Sequence, residues 1–73
     1  MIKISRYYKI KYILSNGKTP IYQDKRKKIV KEWDRISILT QEEILKKLKV
    51  KDVKLSEIIL YDWVGNIITR KEL

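Results

Sequence analysis

Lys3, Tyr7, Lys9 and Lys11 alternate in the first segment of the chain, and Tyr22, Arg26, Lys27, Lys28 and Lys31 follow soon after. Lysine and arginine displace counterions from phosphates, and tyrosine rings set among them stack on unpaired bases for about 1–3 kcal/mol each. This is the chemistry of a nucleic-acid surface. The consecutive cations Lys25-Arg26-Lys27-Lys28, extended by Lys31, repel one another, and a phosphate backbone relieves that repulsion without any base being read. Both features also have a plain account. Lys/Tyr alternation is how a solvated strand face looks when rings pack over lysine stems, and a short basic run can blunt a strand edge.

The charge distribution bears on the choice. Of the formal net charge of +9, residues 1–40 carry eleven Lys/Arg against Asp24, Glu32 and Asp34, while residues 41–73 carry seven against six. A field of one sign concentrated on half of a small domain attracts polyanions.

Other constellations are weaker. Ile44, Leu48, Val50, Leu55 and Ile58 sit where a helix-turn-helix buries apolar residues, but Leu45 occupies the place of a small residue and Lys49 that of a turn glycine. A lone helix followed by a hairpin accounts for the same stretch. Trp33 and Trp63 can be stacking platforms, although in so small a core each is explained by packing. Asp52-Val53-Lys54 has the acid-x-lysine spacing of some metal-dependent nucleases, without a placed second carboxylate. There is no Gly-rich phosphate loop and no metal-ligand spacing. With neither cysteine nor histidine, thiolate metal sites and the side chain best suited to proton transfer near neutral pH are both missing. The expectation is a binding protein, not an enzyme, with no catalytic residue, metal or cofactor.

The elements that must hold these residues follow from periodicity. Residues 2–14 place Ile2, Ile4, Tyr8, Ile10, Tyr12 and Leu14 on one face and Lys3, Ser5, Tyr7, Lys9 and Lys11 on the other, the period of a half-buried strand. Asn16-Gly17 is a hairpin signal, and Ile21 to Asp24 is the returning strand. In a two-residue loop, Tyr22 falls opposite Lys11 and Arg26 opposite Tyr7. Pro20 then meets Ile13 where an N–H is needed, so either the loop is wider or the strand lies at a sheet edge.

Residues 25–38 are ambiguous. Ile29, Trp33 and Ile36 have helical spacing, yet a helix from Asp24 sets four cations at the positive end of its dipole. A basic turn followed by a third strand over roughly 29–38 is the preferred reading. Thr40-Gln41-Glu42-Glu43 is a capping box with Leu39 and Ile44 as hydrophobic staple, opening a helix over about 41–49. Within it Glu42–Lys46 and Glu43–Lys47 are i,i+4 pairs. Leu55 to Tyr61 and Ile67 to Arg70 read as strands around a turn at Asp62–Asn66.

The chain is thus expected to be one α+β domain, residues 1–73: an N-terminal hairpin, a third strand, one short helix and a C-terminal hairpin. It lacks a signal-peptide or membrane-span pattern, which implies a cytoplasmic protein and no membrane partner. Fourteen Lys, thirteen Ile and no Ala suit AT-rich coding, as in a low-GC bacterium, an archaeon, or their viruses and mobile elements. The leading functional expectation is binding of DNA or RNA through phosphates, with little sequence specificity, by Lys3, Lys9, Lys11, Arg26, Lys27, Lys28 and Lys31, with Tyr7 and Tyr22 as stacking residues. The alternative is a protein-interaction module or inhibitor of viral or mobile-element origin that docks on an acidic surface of a host protein or nucleoprotein. A third reading, a winged-helix factor, requires residues 51–60 to be helical.

Overall fold

Alternation in the first strand decides which side of the sheet is covered. The structure, a computed structural model, describes residues 6–73. Its elements are β1 (Tyr7–Leu14), β2 (Ile21–Lys25), α1 (Arg26–Ser37), α2 (Gln41–Leu48), β3 (Leu55–Tyr61) and β4 (Ile67–Glu72). The strands form one antiparallel sheet in the order β2-β1-β3-β4. Ile10, Tyr12 and Leu14 are buried on one face with Ile58 and Leu60 of β3, and Ile29, Ile36 and Ile44 from the two helices close over them. The domain is α+β, as its sequence implies. Among the described residues no layer lies over the opposite face of the sheet. Positions 2–5 of the expected first strand, Lys3 among them, lie outside the described residues.

The first hairpin corrects the tight register. Tyr12 N–H donates to the Pro20 carbonyl and Leu14 N–H to that of Lys18, leaving Ser15, Asn16 and Gly17 as a three-residue loop, with Gly17 at a φ of +84° that suits a residue without Cβ. Tyr7 pairs with Lys25 and Lys11 with Ile21. Side chains alternate, so one extra loop residue sends every β2 side chain to the face opposite the one expected. Pro20 accepts from Tyr12 but has no N–H to return the bond, and the regular β1–β2 pairing stops at Lys11–Ile21.

Residues 26–37 form a helix, not the expected third strand. A strand would send Ile29 and Ile36, seven residues apart, to opposite faces. A helix puts both, with Trp33 between, on one stripe against the sheet. Burying an isoleucine contributes about 1.5–3 kcal/mol, against about 0.3–1 kcal/mol for each cation misplaced on the dipole. Burial wins. The dipole conflict is still present, since the first turn has no acidic residue and Lys25 provides no side-chain cap.

The second helix has the expected start. Thr40 Oγ1 accepts from Glu43 N–H at 3.2 Å and the Glu43 carboxylate accepts from Thr40 N–H at 3.1 Å. Lys49, at φ 58°, ends the helix in the left-handed region that glycine favours. Gln41 Oε1 then accepts from Leu55 N–H at 3.2 Å and ties α2 to the start of β3. Ile13 pairs with Glu57 but Leu14 with Leu55, so a bulge at Ser56 turns Leu55 inward with Leu14 although its parity differs from that of Ile58 and Leu60. Residues 55–61 are therefore strand, and the helix-turn-helix and winged-helix readings fail. The turn at Asp62–Asn66 is as expected: Asp62 Oδ1 accepts from the N–H groups of Val64, Gly65 and Asn66.

Thr40→Ala should lower unfolding stability in chemical denaturation by about 0.5–2 kcal/mol, because Glu43 N–H loses its acceptor. Lys49→Gly should raise it by up to about 1 kcal/mol, since relief of the left-handed strain exceeds the added freedom of the unfolded chain.

Candidate nucleic-acid interface

The uncovered face of the sheet is an ordered grid. Reading across the strands, Gln23, Lys9, Tyr61 and Ile67 form one row, and Ile21, Lys11, Ile59 and Arg70 the next. Tyr7 and Lys25 pair at one end of this face, and Glu57 and Glu72 at the other. Cations and tyrosines thus occupy half of these positions, isoleucines and Gln23 lie among them, and carboxylates hold one margin. Ile59 is only 6% exposed despite lying on this side. Its partners to either side are Lys11 and Arg70, whose stems shield it while their charged ends stay in water. Lys11 Nζ lies 6.0 Å from the centre of the Tyr61 ring, at the outer limit of a cation–π contact and worth about 0.5–1 kcal/mol at an exposed site. Arg6 stands closer to Trp63, at 5.1 Å.

The other cations lie on the helix layer. Arg26, Lys27 and Lys31 line a shallow groove of about 480 Å³ with Val30 on the exposed side of α1. Lys28, also exposed, lies near enough to Asp24 to help hold its carboxyl low, after the larger effect of the hydrogen bond from Lys25 N–H at 2.7 Å. The expected residues therefore divide between two surfaces. Tyr7, Lys9 and Lys11 share the open face, whereas Arg26, Lys27, Lys28 and Lys31 belong to α1. Lys25, the last residue of β2 and the N-cap of α1, stands where the two meet.

Tyr22 is a correction. It pairs with Ile10, on the helix side of the sheet, and its hydroxyl donates to Asp24 Oδ2 at 3.2 Å. The three-residue loop is the cause, and it removes Tyr22 from the surface that holds Tyr7. The same shift brings Lys25 there. Tyr61 and Arg70 also join the face, and sequence reasoning missed both. The signal was the alternation of β3, where Ile58 and Leu60 face inward and so assign Tyr61 outward. Arg70 is obscured by a second bulge, since Leu60 pairs with Thr69 and Tyr61 with Ile67, leaving Ile68 extra.

The lysines of α2 have partners other than those expected. Glu43 is used by the capping box, and Lys47 Nζ instead reaches Glu32 of α1 at 2.6 Å. No ion pair joins Glu42 and Lys46 among the described residues. Glu32 is largely covered, and its Oε1 has no hydrogen-bond partner and lies 3.9 Å from Arg35. Its negative charge acts on the core: burial first, then Glu32 and Tyr22, push the Tyr12 phenol up to about 12. At the β3–β4 turn, burial opposes ionisation of Asp62, but the N–H groups of Asn66, Gly65 and Val64 outweigh it and hold the carboxyl below its ordinary value.

Among the described residues there is no cluster of acidic side chains able to hold a metal, and no helix is long and apolar enough to cross a membrane. The chain matches no protein-family model, curated protein or solved structure with which it was compared, so its functional reading rests on its own geometry.

Lys47→Ala should cost about 1–3 kcal/mol, because the covered Glu32 carboxylate loses its hydrogen-bonded cation, while Lys46→Ala should stay within about 0.5 kcal/mol in the same denaturation assay. Because Tyr12 keeps its proton longer folded than unfolded, its contribution to stability is complete below pH 10.0 and is lost as pH rises toward about 12. An ultraviolet titration of phenolate should show two of the five tyrosines, Tyr22 and Tyr12, ionising late, Tyr12 together with unfolding.

Proposed function

We propose that this protein binds nucleic acid through phosphate contacts, with affinity exceeding sequence specificity. One observation carries the reading. Among the described residues the only ion pairs are those of Arg35 and Lys47 with Glu32. Lys9, Lys11, Lys25, Arg26, Lys27, Lys28 and Lys31 therefore present their charge to solvent unpaired. Unpaired cations at this density raise the local concentration of polyanions and release counterions from them on contact. Arg26, Lys27 and Lys28 add a second incentive, because an anion at the start of α1 offsets both their mutual repulsion and the uncapped positive end of the helix.

A protein partner is the second reading, and a different observation favours it. Trp63, Val64, Ile67 and Ile68 are about half exposed around the β3–β4 turn, an apolar group beside the basic face. A protein with an acidic surface and an apolar pocket matches that pairing. Co-purification from the source cell with and without nuclease separates the two readings, because a protein that stays bound after digestion supports docking.

The phosphate reading makes a quantitative demand. Arg26→Ala, Lys27→Ala and Lys28→Ala together should weaken binding to short nucleic acids and flatten the slope of log affinity against log salt by up to about three units on duplex DNA. Lys46→Ala, Lys51→Ala and Lys54→Ala remove the same charge from outside both basic surfaces and should do far less. Equal losses in the two variants would mean that binding follows net charge. No binding by the wild-type protein at about 50 mM salt would overturn the reading in favour of protein docking.

A further inference from the structure

We infer that the open face of the sheet is a platform for single-stranded nucleic acid, with Tyr7 and Tyr61 as the stacking rings and Lys9 between them for the connecting phosphate. The inference rests on the nucleic-acid reading above and assigns that ligand to a strand without a complement. Lys9 pairs directly with Tyr61, and Tyr7 lies two residues before Lys9 on β1. The tyrosines are therefore diagonal neighbours across a strand pair, a separation of about 7–8 Å between backbones. The rise between stacked bases is about 3.4 Å, so neighbouring bases meet both rings only after parting from each other. A duplex does not offer bases in that state.

The margins of the face define the footprint. Lys25 stands beside Tyr7, and Lys11 and Arg70 lie on the row next to Tyr61, so cations border both rings. Glu57 and Glu72 close the far end and repel a phosphate backbone there. The path of the strand thus runs over the Tyr7 half and stops short of the carboxylates. Lys11 over Tyr61, at 6.0 Å, is the only cation–π contact to either ring among the described residues. Such a contact at an exposed site corresponds to about 2- to 5-fold in affinity, whereas a stacked base corresponds to about 5- to 150-fold, so a base displaces the ammonium and releases it to a phosphate. The bulge at Ile68 lies beside Tyr61, the position where such irregularities re-aim a side chain.

The test compares fluorescence anisotropy of labelled oligothymidylate of about 25 nucleotides, single-stranded and annealed to oligoadenylate, at about 50 mM salt. The single strand should bind at least about tenfold more tightly. Tyr7→Leu and Tyr61→Leu should each weaken single-strand binding by about 5-fold or more with the salt slope unchanged, and Tyr7→Phe and Tyr61→Phe should restore it. A measurement on the wild-type protein guards against a variant that fails to fold: backbone amide shifts on adding the single strand should move in residues 7–11, 59–61 and 67–70. Shifts centred on residues 26–31, or equal or tighter binding of the duplex, overturn the platform while leaving phosphate binding in place. Failure of both forms to bind overturns the parent reading and this one with it.

Discussion

Enough apolar surface for one core is the constraint from which the rest of this structure follows. A chain of 73 residues buries only about 60% of what it exposes when unfolded, so it cannot cover both faces of a four-stranded sheet. Ile10, Tyr12 and Leu14 commit one face to the core, and both helices are used to close it. The residues of opposite parity on β1 stay at the surface, Tyr7 and Lys9 exposed and Lys11 and Ile13 half-buried. The basic and aromatic residues of the open face therefore follow from how the core is made.

The division of labour among charges follows the same geometry. Glu32 is placed between the helices, where it holds Lys47 and keeps α1 and α2 together. Asp62 and Glu43 are bound to backbone N–H groups and organise a turn and a cap. With Asp24, which accepts from Lys25 N–H and the Tyr22 hydroxyl, four of the nine carboxylates are thus engaged in building the fold, and none of the four lies on the open face. The cations are under no such obligation. Among the described residues most have no ion-pair partner, so the positive field reaches solvent largely undiminished.

Much of this was legible in the residues. The alternation of β1, the capping box at Thr40 and the turn at Asp62 are local signals, each resting on neighbours in sequence, and each was read correctly. Two things were not local. The length of the first hairpin loop depends on how Pro20 is accommodated in a pairing, and a difference of one residue moved Tyr22 off the candidate face and Lys25 onto it. The conformation of residues 26–37 depends on a sheet for Ile29 and Ile36 to pack against, and without that sheet the dipole argument against a helix was the stronger one. Tyr61 and Arg70 needed the register of strands far apart in the chain. The candidate surface was therefore half visible: its β1 members were evident, and its β3 and β4 members depended on pairing.

The two edge strands also determine how the molecule meets its own copies. An edge strand exposes a row of unpaired N–H and C=O groups, and a straight apolar edge recruits further strands into fibrils. On β2 the edge strand is only five residues long and ends in the charged Asp24 and Lys25. On β4 the extra residue Ile68 breaks the regular spacing within the most apolar part of the edge, next to Ile67, and the charged Arg70, Lys71 and Glu72 follow. A second chain thus finds a short edge at one border and an irregular one at the other. The irregularities that shape the open face thus also favour a dispersed protein over an aggregated one, although its strands are rich in isoleucine.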